Sequence, residues 1–342
     1  MRDFKGSGAS GPRTLFHVKH RRRRFGGGGP ATEQSPTPPS AAPREDRGAQ
    51  DARTLVLVNP AAGGGRAARR WRELRPVAER LFDFEEHWTQ AAGEGGRVAA
   101  QAAAGGFARL LAIGGDGTLH EVANGAAGSG LAVAVLPLGT GNDFARTSGF
   151  FLRPDRLLGA LATGGRRQVD LGEVHGGVYI NVAGVGFDAE VARIVNALPS
   201  KSGGTLPYLT AAIRLAFSYE APRLTVRLDG EADEPTPRLL VAIGNAAAYG
   251  GGMQVCPGAK VDDGALDALL VGRLRGWSTL GLLPKVFRGS HVGDPRVRLQ
   301  RAFRVDIDGP ADTAVHADGE IVGGLPATFS VRPRALTLWT PA

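Results

Sequence analysis

The sequence has 342 residues, with 41 Lys and Arg against 33 Asp and Glu and a formal net charge of +8. It contains no run of about 18 apolar residues, so we expect no helix that crosses a membrane. The single cysteine, Cys256, excludes an internal disulfide framework, fits a reducing compartment and is expected to be a small buried filler.

The first 53 residues differ from the rest. They hold 11 basic and 5 acidic residues, or +6 of the net charge, which leaves +2 for the other 289 residues. Stretches rich in Gly, Pro and Arg without apolar periodicity predict a disordered extension over residues 1–53. The arginines at 21–24 have the chemistry to touch nucleic acid or anionic lipid, but we favour a solvated extension and expect no specific nucleic-acid partner. The GGGGP that follows excludes a twin-arginine export signal, which needs an apolar segment.

Residues 54–147 alternate between predicted strands and helices. Continuous apolar runs at 55–58, 110–113 and 131–136 each end in a glycine-rich turn, and helical patterns separate them. This order predicts a doubly wound α/β domain whose ligand crevice lies at the carboxyl ends of the strands.

Strands dominate residues 148–342. Several alternate between apolar and polar positions, as in Leu224-Thr-Val-Arg-Leu228 and in the run Phe303, Val305, Ile307, so each should bury one face. This pattern predicts an antiparallel β-sandwich domain.

One amphipathic helix is predicted within the sandwich domain, at residues 205–219. Its apolar face would consist of Leu206, Leu209, Ile213 and Phe217. We expect this face to pack on the sandwich; the alternative is a surface that meets lipid.

Three glycine-rich turns carry the chemistry, at 59–65, 114–118 and 137–143. Each follows a predicted buried strand and opens a helix, so unpaired N–H groups and the positive end of the helix dipole form a site for phosphate. Asp116 is the unusual member, because a carboxylate beside a phosphate is repelled unless a cation or a proton lies between them. A plain βα turn is the alternative for GDGT considered by itself.

Three familiar mechanisms can be tested on the sequence. A P-loop needs a Gly-Lys pair, and no lysine of this chain follows a glycine. A Rossmann pattern at Gly63, Gly65 and Ala68 is weak, because four residues separate the strand from its first glycine. No GxSxG motif is present for a serine hydrolase.

Seven ordered motifs resemble those of the diacylglycerol kinase catalytic-domain family, which covers bacterial lipid kinases and the sphingosine and ceramide kinases. They are NPAAGGG at 59–65, GGDGTLHEVANG at 114–125, PLGTGNDFAR at 137–146, VDLG at 169–172, GVGFDA at 184–189, PGAKVDDGALD at 257–267 and DGE at 318–320. The resemblance implies an N-terminal α/β nucleotide-binding domain, then an antiparallel β-sandwich domain, with the active site and ATP in the cleft between them.

The resemblance also implies positions that hold the nucleotide. Carried over by motif, they are Asn59, Gly63, Thr89, Gly115, Asp116, Gly117, Thr118 and Thr140, with Asn142 and Asp143 shaping the same wall. Phosphoryl transfer rests on positioning and charge neutralisation, so it calls for N–H cradles, Mg²⁺, some arginine and a carboxylate near the nucleophile.

Asp116 and Asp318 are the two candidates for that carboxylate. The resemblance implies that Asp318 takes the proton from the acceptor hydroxyl and that Glu320 lies against the nucleotide and its Mg²⁺. We favour Asp318 as the base and Asp116 as an organiser of the metal or of the acceptor hydroxyl. By local sequence alone, the Asp-Gly pair at 318–319 is also typical of a hairpin turn.

A second metal position is implied at the PGAKVDDGALD motif. There Asp263, with the carbonyls of Lys260 and Ala265, resembles the family's structural Mg²⁺ site. A turn and a metal site are compatible here, since a hard cation accepts backbone carbonyls and one carboxylate.

The chain departs from the family pattern in its first phosphate turn. Ala62 stands where Ser is frequent and Gly64 where Lys is common, so polar donors are lost; Arg66 and Arg69 are candidates to replace the charge. Some family members return to the first domain after the last strand. Because this chain stops at Ala342, we expect that brace to be absent.

The resulting hypothesis is an ATP-dependent, Mg²⁺-requiring kinase that phosphorylates a hydroxyl of a lipid such as diacylglycerol. It would act from the cytoplasm through peripheral contact with the inner membrane leaflet.

An NAD kinase shares GGDGT and the two-domain plan, but PLGTGNDFAR and the acidic segments fit lipid kinases better. A catalytically silent lipid-binding or regulatory module is the other alternative. The sequence leaves open the acceptor lipid and the oligomeric state, a homodimer included.

Overall fold

The computed structural model describes residues 52–198 and 205–342. The predicted disorder of the N-terminal extension and the arginines at 21–24 therefore lie outside the described residues, except for positions 52 and 53. Arg53 donates hydrogen bonds to Glu85 (2.9 Å) and to the carbonyl of Gly105 (2.8 Å), so the folded part begins slightly before residue 54.

Strands and helices alternate in the first half of the described chain. In order they are β1 (Thr54–Val58), α1 (Arg66–Leu81), β2 (Phe84–Trp88), α2 (Glu94–Ala104), β3 (Arg109–Gly114), α3 (Asp116–Ala126), β4 (Ala132–Pro137), α4 (Asp143–Thr147) and α5 (Pro154–Ala162). The strands pair in parallel in the order β2-β1-β3-β4, which confirms the doubly wound α/β arrangement. β1 and β3 are buried along their whole length, as continuous apolar runs predict.

Helix α3, which opens at the second glycine-rich turn, packs closely against α2. A Cβ on Gly125 would lie 1.9 Å from the carbonyl oxygen of Gly96, so only glycine permits this approach. Glu121 strengthens the contact, because its carboxylate accepts hydrogen bonds from the N–H groups of Gly93 (2.8 Å) and Gly95 (2.9 Å) at the start of α2. These contacts therefore fix α3 against α2.

Strands dominate the remainder of the chain. In order the elements are β5 (Gly165–Val174), β6 (Gly177–Tyr179), β7 (Val182–Gly186), α6 (Phe187–Asn196), α7 (Thr205–Ser218), β8 (Arg223–Leu228), β9 (Glu231–Ala232), β10 (Thr236–Gly244), β11 (Leu266–Gly272), α8 (Trp277–Phe287), a 3-10 helix (Ser290–Gly293), β12 (Val297–Ala302), β13 (Arg304–Asp308), β14 (Ala314–Ala317), β15 (Glu320–Gly324) and β16 (Ala327–Thr340). One antiparallel layer contains β14, β7, β10, β11 and β12, and the other contains β8, β13, β16 and β5. Apolar side chains from both layers share one core, which confirms the predicted sandwich.

Helices α6, α7 and α8 pack on the outer face of the layer that contains β7, β10 and β11. The residues of α7 buried there are Ala211, Ala212 and Ala216. In contrast, Leu209, Ile213 and Phe217 are 40%, 41% and 54% exposed, so the expectation that these three pack on the sandwich is wrong. Alanines let the helix axis approach its neighbours closely, and the larger side chains then lie on the opposite side. The side chain of Leu206 lies outside the described part.

The alternation predicted for Phe303, Val305 and Ile307 holds only for the last two. Val305 and Ile307 are buried in the sandwich, whereas Phe303 is 63% exposed. β13 begins at Arg304, so Phe303 precedes the strand and the alternation of the pleat does not apply to it.

Cys256 has a free thiol and is fully buried, as expected of a filler. Across residues 52–198 and 205–342, the longest helix is α1 with 16 residues, and no helix combines the length and apolar character needed to cross a bilayer.

The final strand joins the two domains. The first half of β16 pairs with β13 in the sandwich, whereas Thr337 and Leu338 pair in parallel with β4 of the α/β sheet. Trp339 is 1% exposed within the α/β core, and its Nε1 donates to the carbonyl of Leu161 at 2.9 Å. The expected absence of a returning brace is therefore wrong, because 14 residues of β16 reach across both sheets.

We predict that Trp339→Ala lowers the free energy of unfolding by about 3–5 kcal/mol, because it empties a fully buried site and removes the indole hydrogen bond to the Leu161 carbonyl. Equilibrium unfolding in urea measures the change. Trp277→Ala is the matched control, since Trp277 is 79% exposed, and it should change stability by about 0.5 kcal/mol or less. Equal losses in the two variants would contradict the bracing role of β16.

Candidate active site

The three glycine-rich turns meet at one cleft, at the carboxyl ends of β1, β3 and β4. From the sandwich side, Asn181, Tyr249 and the turn at residues 318–319 line the same cleft, whose volume is about 750 Å³. Ligands of open α/β sheets bind at this end of the strands. The position of the cleft therefore agrees with a nucleotide site between the α/β and sandwich residues.

The side chain of Asn59 links the first turn to the second. Its Nδ2 donates to Oγ1 of Thr118 at 2.9 Å, and its Oδ1 accepts from the N–H of Ala61 at 3.0 Å. Gly63 has a φ of 61°, and a Cβ there would lie 2.5 Å from the carbonyl oxygen of Leu138 in the third turn. Glycine is therefore required where the first and third turns pass each other.

The second and third turns are also in direct contact. A Cβ on Gly139 would lie 2.4 Å from Cα of Gly115, and the N–H of Gly139 donates to the carbonyl of Gly114 at 3.0 Å. Asn142 has a φ of 55° and closes the third turn by hydrogen bonds in both directions with the backbone of Gly139. Its buried side chain therefore supports the turn rather than lining the cleft.

Asp116 occupies the first position of α3, close to Asp143 of α4. Oδ1 of Asp116 accepts from the N–H of Phe144 at 3.2 Å, and the Asp143 carboxylate accepts two N–H groups of the glycine loop 250–252 at 2.6 and 2.7 Å. Burial, followed by the charge of Asp143, raises the pKa of Asp116 to about 6, and the charge of Asp318 adds to this. The site therefore concentrates negative charge that a bound cation would relieve.

Hydrogen bonds occupy the Asp318 carboxylate fully. Oδ1 accepts from the N–H groups of Asn181 (2.8 Å) and Val182 (3.2 Å), while Oδ2 accepts from the N–H of Ile180 (2.8 Å) and from His120 (2.9 Å). The side chain is 1% exposed, and its φ of 50° fits an Asp-Gly hairpin turn. Because a carboxylate offers about four lone-pair sites, none is left for an acceptor hydroxyl while these donors are in place.

His120 is a cleft residue to which the sequence patterns assigned no role. It stands one turn after Asp116 on the same side of α3, and its Nδ1 lies 2.9 Å from Oδ2 of Asp318. We therefore assign the proton to Nδ1, which leaves Nε2 as an acceptor. Nδ2 of Asn124 lies 3.4 Å from Nε2 but donates at shorter distances to the carbonyls of His120 and Val178. Burial lowers the pKa of His120, but the hydrogen bond and charge of Asp318, with the charges of Glu320 and Glu121, raise it overall above its usual 6.5.

A buried pair supports the Asp318 turn from behind. His316 is fully buried, its Nε2 lies 3.0 Å from Oδ2 of Asp188, and its Nδ1 accepts from the N–H of Gly319 at 3.3 Å. Tyr249 stacks on the same ring with centroids 5.4 Å apart. Asp188 belongs to the GVGFDA motif, and this geometry gives the motif a structural role: it holds His316 in the tautomer that accepts from the turn.

The charges that line the cleft are negative. Its acidic side chains are Asp116, Glu121, Asp143, Asp318 and Glu320, and no Lys or Arg of the described ranges lines it. Arg66 and Arg69 instead line a separate hollow beside α1, and Nε of Arg66 donates to the carbonyl of Gly63 at 2.8 Å. Neither arginine lines the cleft, although Arg66 contacts the first turn.

The predicted metal position at Lys260, Asp263 and Ala265 lies outside the cleft lining. Oδ2 of Asp263 pairs with Arg301 at 2.9 Å, and Oδ1 accepts from the N–H of Ala265 at 3.3 Å. No cluster of three His, Cys, Asp or Glu side chains suited to a metal ion occurs in the part of the chain that the structure describes. In this structure Arg301 balances the charge of Asp263, and the metal position, which would use two backbone carbonyls and one carboxylate, stays a prediction.

The structure brings most of the predicted site residues to one place. Those that line the cleft are Asn59, Gly63, Thr89, Gly115, Asp116, Gly117, Thr118, Thr140, Asp143, Asp318 and Glu320. Asn142 lies behind the third turn, and the three residues of the PGAKVDDGALD loop lie elsewhere.

Two further lining residues carry no sequence motif. Asn181 follows an ordinary apolar strand, and its buried Oδ1 has no hydrogen-bond partner, so it is available to a ligand. Tyr208 reaches the cleft from α7. Asn181 and Tyr208 lie far from the glycine-rich turns in the sequence, and no local sequence pattern predicts that they line the same cleft.

Comparisons with known proteins agree with this geometry. The family described as diacylglycerol kinase catalytic domain matches residues 53–174, and the family described as YegS C-terminal NAD kinase beta sandwich-like domain matches residues 181–340. A Pseudomonas aeruginosa protein named "Probable lipid kinase YegS-like" is 36% identical over 253 residues, 73% of this chain and 82% of the relative. A Mycobacterium tuberculosis diacylglycerol kinase is 30% identical over 296 residues, 84% of this chain and 95% of the relative.

A solved structure supports the fold. The crystal structure of a Bacillus anthracis protein superposes with a TM-score of 0.72 and 23% identity, over 84% of this chain and 95% of that one. The resemblance drawn from the seven motifs is thus confirmed: the chain belongs to the diacylglycerol kinase catalytic-domain family of lipid kinases.

Proposed function

We propose that this protein transfers the γ-phosphate of ATP to a hydroxyl of a lipid such as diacylglycerol. The observation that carries the proposal is that three N–H-rich turns and the His120–Asp318 pair face one cleft of about 750 Å³. A phosphate cradle and a proton acceptor within one cleft are the two parts that phosphoryl transfer to an alcohol requires. Membership of a lipid kinase family supports the same reaction class.

We assign ATP to the α/β side of the cleft, so that residues 54–147 bind the nucleotide and residues 148–342 supply the acceptor side. Gly115, Gly117 and Thr118 lie at the N-terminus of α3, where N–H groups and the helix dipole favour phosphate. Thr89 and Thr140 line the neighbouring walls. The contact between the glycine turns leaves little room for their backbone to move.

The acidic lining means that a triphosphate must enter with cations. Asp116 and Glu320 are suited to hold the Mg²⁺ that accompanies ATP, since Mg²⁺ binds through one or two carboxylates plus phosphate oxygens. The pKa of Asp116 is raised first by burial and then by the charge of Asp143, and such a cation would offset this repulsion. Mg²⁺ bound there would neutralise charge on the phosphates during transfer.

We propose that the acceptor proton passes to Nε2 of His120, with Asp318 as the residue that holds and charges the ring. The acceptor oxygen attacks the γ-phosphorus, the bond to the β–γ bridging oxygen breaks, and ADP leaves with that electron pair. The resulting imidazolium is stabilised by Asp318 at 2.9 Å. This assignment moves the base from Asp318, whose oxygens already hold four N–H groups, to its partner.

The acceptor side of the cleft suits a lipid. Val195 and Leu198 of the α6 end and Tyr208 of α7 line the cleft beside the polar groups. Asn181 offers its free Oδ1 to a hydroxyl near His120. An apolar wall next to one polar corner matches an acceptor with acyl chains and a single reactive alcohol.

We expect purified full-length protein to transfer label from [γ-³²P]ATP with Mg²⁺ to diacylglycerol in mixed micelles. Asp116→Asn should lower the rate at least about 100-fold, because it removes charge that organises the transferred phosphate, whereas Phe303→Ala should match wild type. Label in NADP when NAD is supplied would identify an NAD kinase. Absence of label in any lipid or in NAD would identify a silent module.

Asp116→Asn should also stabilise the unliganded protein. The unfolded chain loses this proton near pH 3.8 and the folded chain near pH 6, so the folded state binds more protons in between and stability falls as pH rises across that window. At pH 8 the variant should therefore be more stable by on the order of 1–3 kcal/mol, as measured by urea unfolding. Mg²⁺ with ATP should reduce this difference in the free energy of unfolding, because the ligand stabilises wild type. If the variant is less stable than wild type at pH 8, the Asp116 carboxylate does not destabilise the folded protein.

The pH dependence of kcat/KM should report His120. Because protonated His120 accepts no proton, activity should fall as pH drops through its raised pKa, above 6.5. His120→Asn should lower kcat by about 100-fold or more and leave only the fall in activity that protonation of Asp116 causes near pH 6, while Asp318→Asn should move the His120 limb to lower pH. An unchanged limb in His120→Asn would assign the base elsewhere.

A further inference from the structure

Helices α7 and α8 present an apolar surface that the catalytic cleft does not use. Leu209, Ile213 and Phe217 recur every four residues along α7, and Trp277 opens α8 at 79% exposure. The rings of Phe217 and Trp277 meet edge to face with centroids 5.4 Å apart. These four side chains form one continuous strip, which we name the α7–α8 ridge.

The side of α7 that is exposed in the ridge is the side that packing alone would bury. α7 buries Ala211, Ala212 and Ala216 and leaves its larger apolar side chains in water, although burying each large side chain would contribute about 1.5–3 kcal/mol. Single exposed apolar residues are common on proteins, but contiguous ones mark a surface that meets something else.

The charge around the ridge identifies the kind of partner. α7 and residues 273–293 contain five basic and no acidic residues, although the chain beyond residue 53 carries a net charge of only +2. The basic residues are Arg214, Arg273, Arg275, Lys285 and Arg288, and all five are exposed. Two of them are ion-paired with acids just beyond these ranges, Arg275 with Glu220 at 3.2 Å and Lys285 with Asp294 at 3.3 Å, so the excess positive charge comes from the other three. Aromatic and aliphatic side chains bordered by Arg and Lys match the interface of a bilayer that contains anionic lipid.

The ridge also leads into the cleft. Tyr208, which lines the cleft, directly precedes Leu209 on α7, and Leu198 lines the cleft while 42% exposed. From Leu209 to Phe217 the helix rises by about 12 Å, so the apolar strip extends outward from the mouth of the cleft. A lipid held at the ridge has its headgroup end near the phosphoryl-transfer groups.

We propose that the α7–α8 ridge inserts into the interfacial layer of an anionic bilayer and seats the mouth of the cleft on it. The lipid hydroxyl then reaches the cleft while the acyl chains stay largely in the membrane. This inference rests on the proposed lipid kinase activity, because it names the surface from which that acceptor enters.

The direct test is sedimentation of the full-length protein with vesicles of equal parts phosphatidylglycerol and phosphatidylcholine. We expect binding that weakens in high salt and on vesicles of phosphatidylcholine alone. Phe217→Ala combined with Trp277→Ala should weaken binding about tenfold or more, and Arg214→Glu should weaken it further. Phe303→Ala, an equally exposed phenylalanine of the sandwich, is the matched control and should bind as wild type does.

Tryptophan fluorescence supplies a second readout. Trp71 and Trp339 are buried and Trp88 is half-buried, so Trp277 is the indole able to enter lipid. Vesicles should shift the emission to the blue, and brominated acyl chains should quench it. Trp277→Phe should remove both changes while vesicle sedimentation persists.

Kinase assays with two forms of the acceptor distinguish failure of the ridge proposal from failure of the proposed function. The double variant should lose turnover of long-chain diacylglycerol in vesicles but keep turnover of a dispersed short-chain diacylglycerol. Failure of wild type on both acceptors would overturn the proposed function. Kinase activity in wild type with unchanged vesicle binding in the double variant would overturn the ridge. The ridge proposal would also be overturned if wild type is a dimer, the double variant is a monomer and vesicle binding is the same in both, since the ridge would then face a second copy.

Discussion

The hydrogen bonds to the Asp318 carboxylate hold the two walls of the cleft together. His120 comes from α3 of the α/β domain, and the three N–H donors come from the junction between β6 and β7 in the sandwich. Each donor would be buried and unpaired without the carboxylate, at a cost of about 1–3 kcal/mol per group. Behind the turn, His316 and Asp188 hold the N–H of Gly319. The architecture of the cleft therefore depends on one residue, and in the proposed mechanism Asp318 acts through His120.

The rest of the cleft is built from backbone and negative charge. Glycine-to-glycine contact between the second and third turns packs N–H groups into a small volume, and Asp116 and Asp143 lie directly beside them. The negative charge of such a site repels a bare triphosphate, whereas a triphosphate already paired with cations can bind. In the proposed mechanism the nucleotide and its metal would bind as one ligand, which would let a phosphate site function without Lys or Arg among its described lining residues.

The sandwich contributes a strand to the α/β sheet and an exposed helix beside the cleft. β16 extends from its sheet into the α/β sheet, so the two domains share a continuous strand and cannot easily separate. On the other side of the sandwich, α7 connects a cleft residue, Tyr208, to an exposed apolar strip edged with arginine. In the proposed reaction the acceptor approaches from the surface that the sandwich helices provide, while the nucleotide lies on the glycine turns of the parallel sheet.

Local sequence determined the parts of this protein whose geometry is local. A buried strand that ends in glycines before a helix aims N–H groups at one point, so the three turns, the α/β order and most of the lining residues were predictable. Motif order added the lipid kinase family and placed Asp318 near the site.

Only the tertiary structure decided which distant groups meet. Asp318 contacts His120 across 198 positions, and β16 returns to β4, because pairing between remote segments leaves no periodic trace in either one. The apolar stripe of α7 predicted a packing face, because hydrophobic periodicity does not distinguish a buried side of a helix from an exposed one. Arg66 and Arg301 show the same limit for charge, since the partner of an ionic side chain is set by the fold around it.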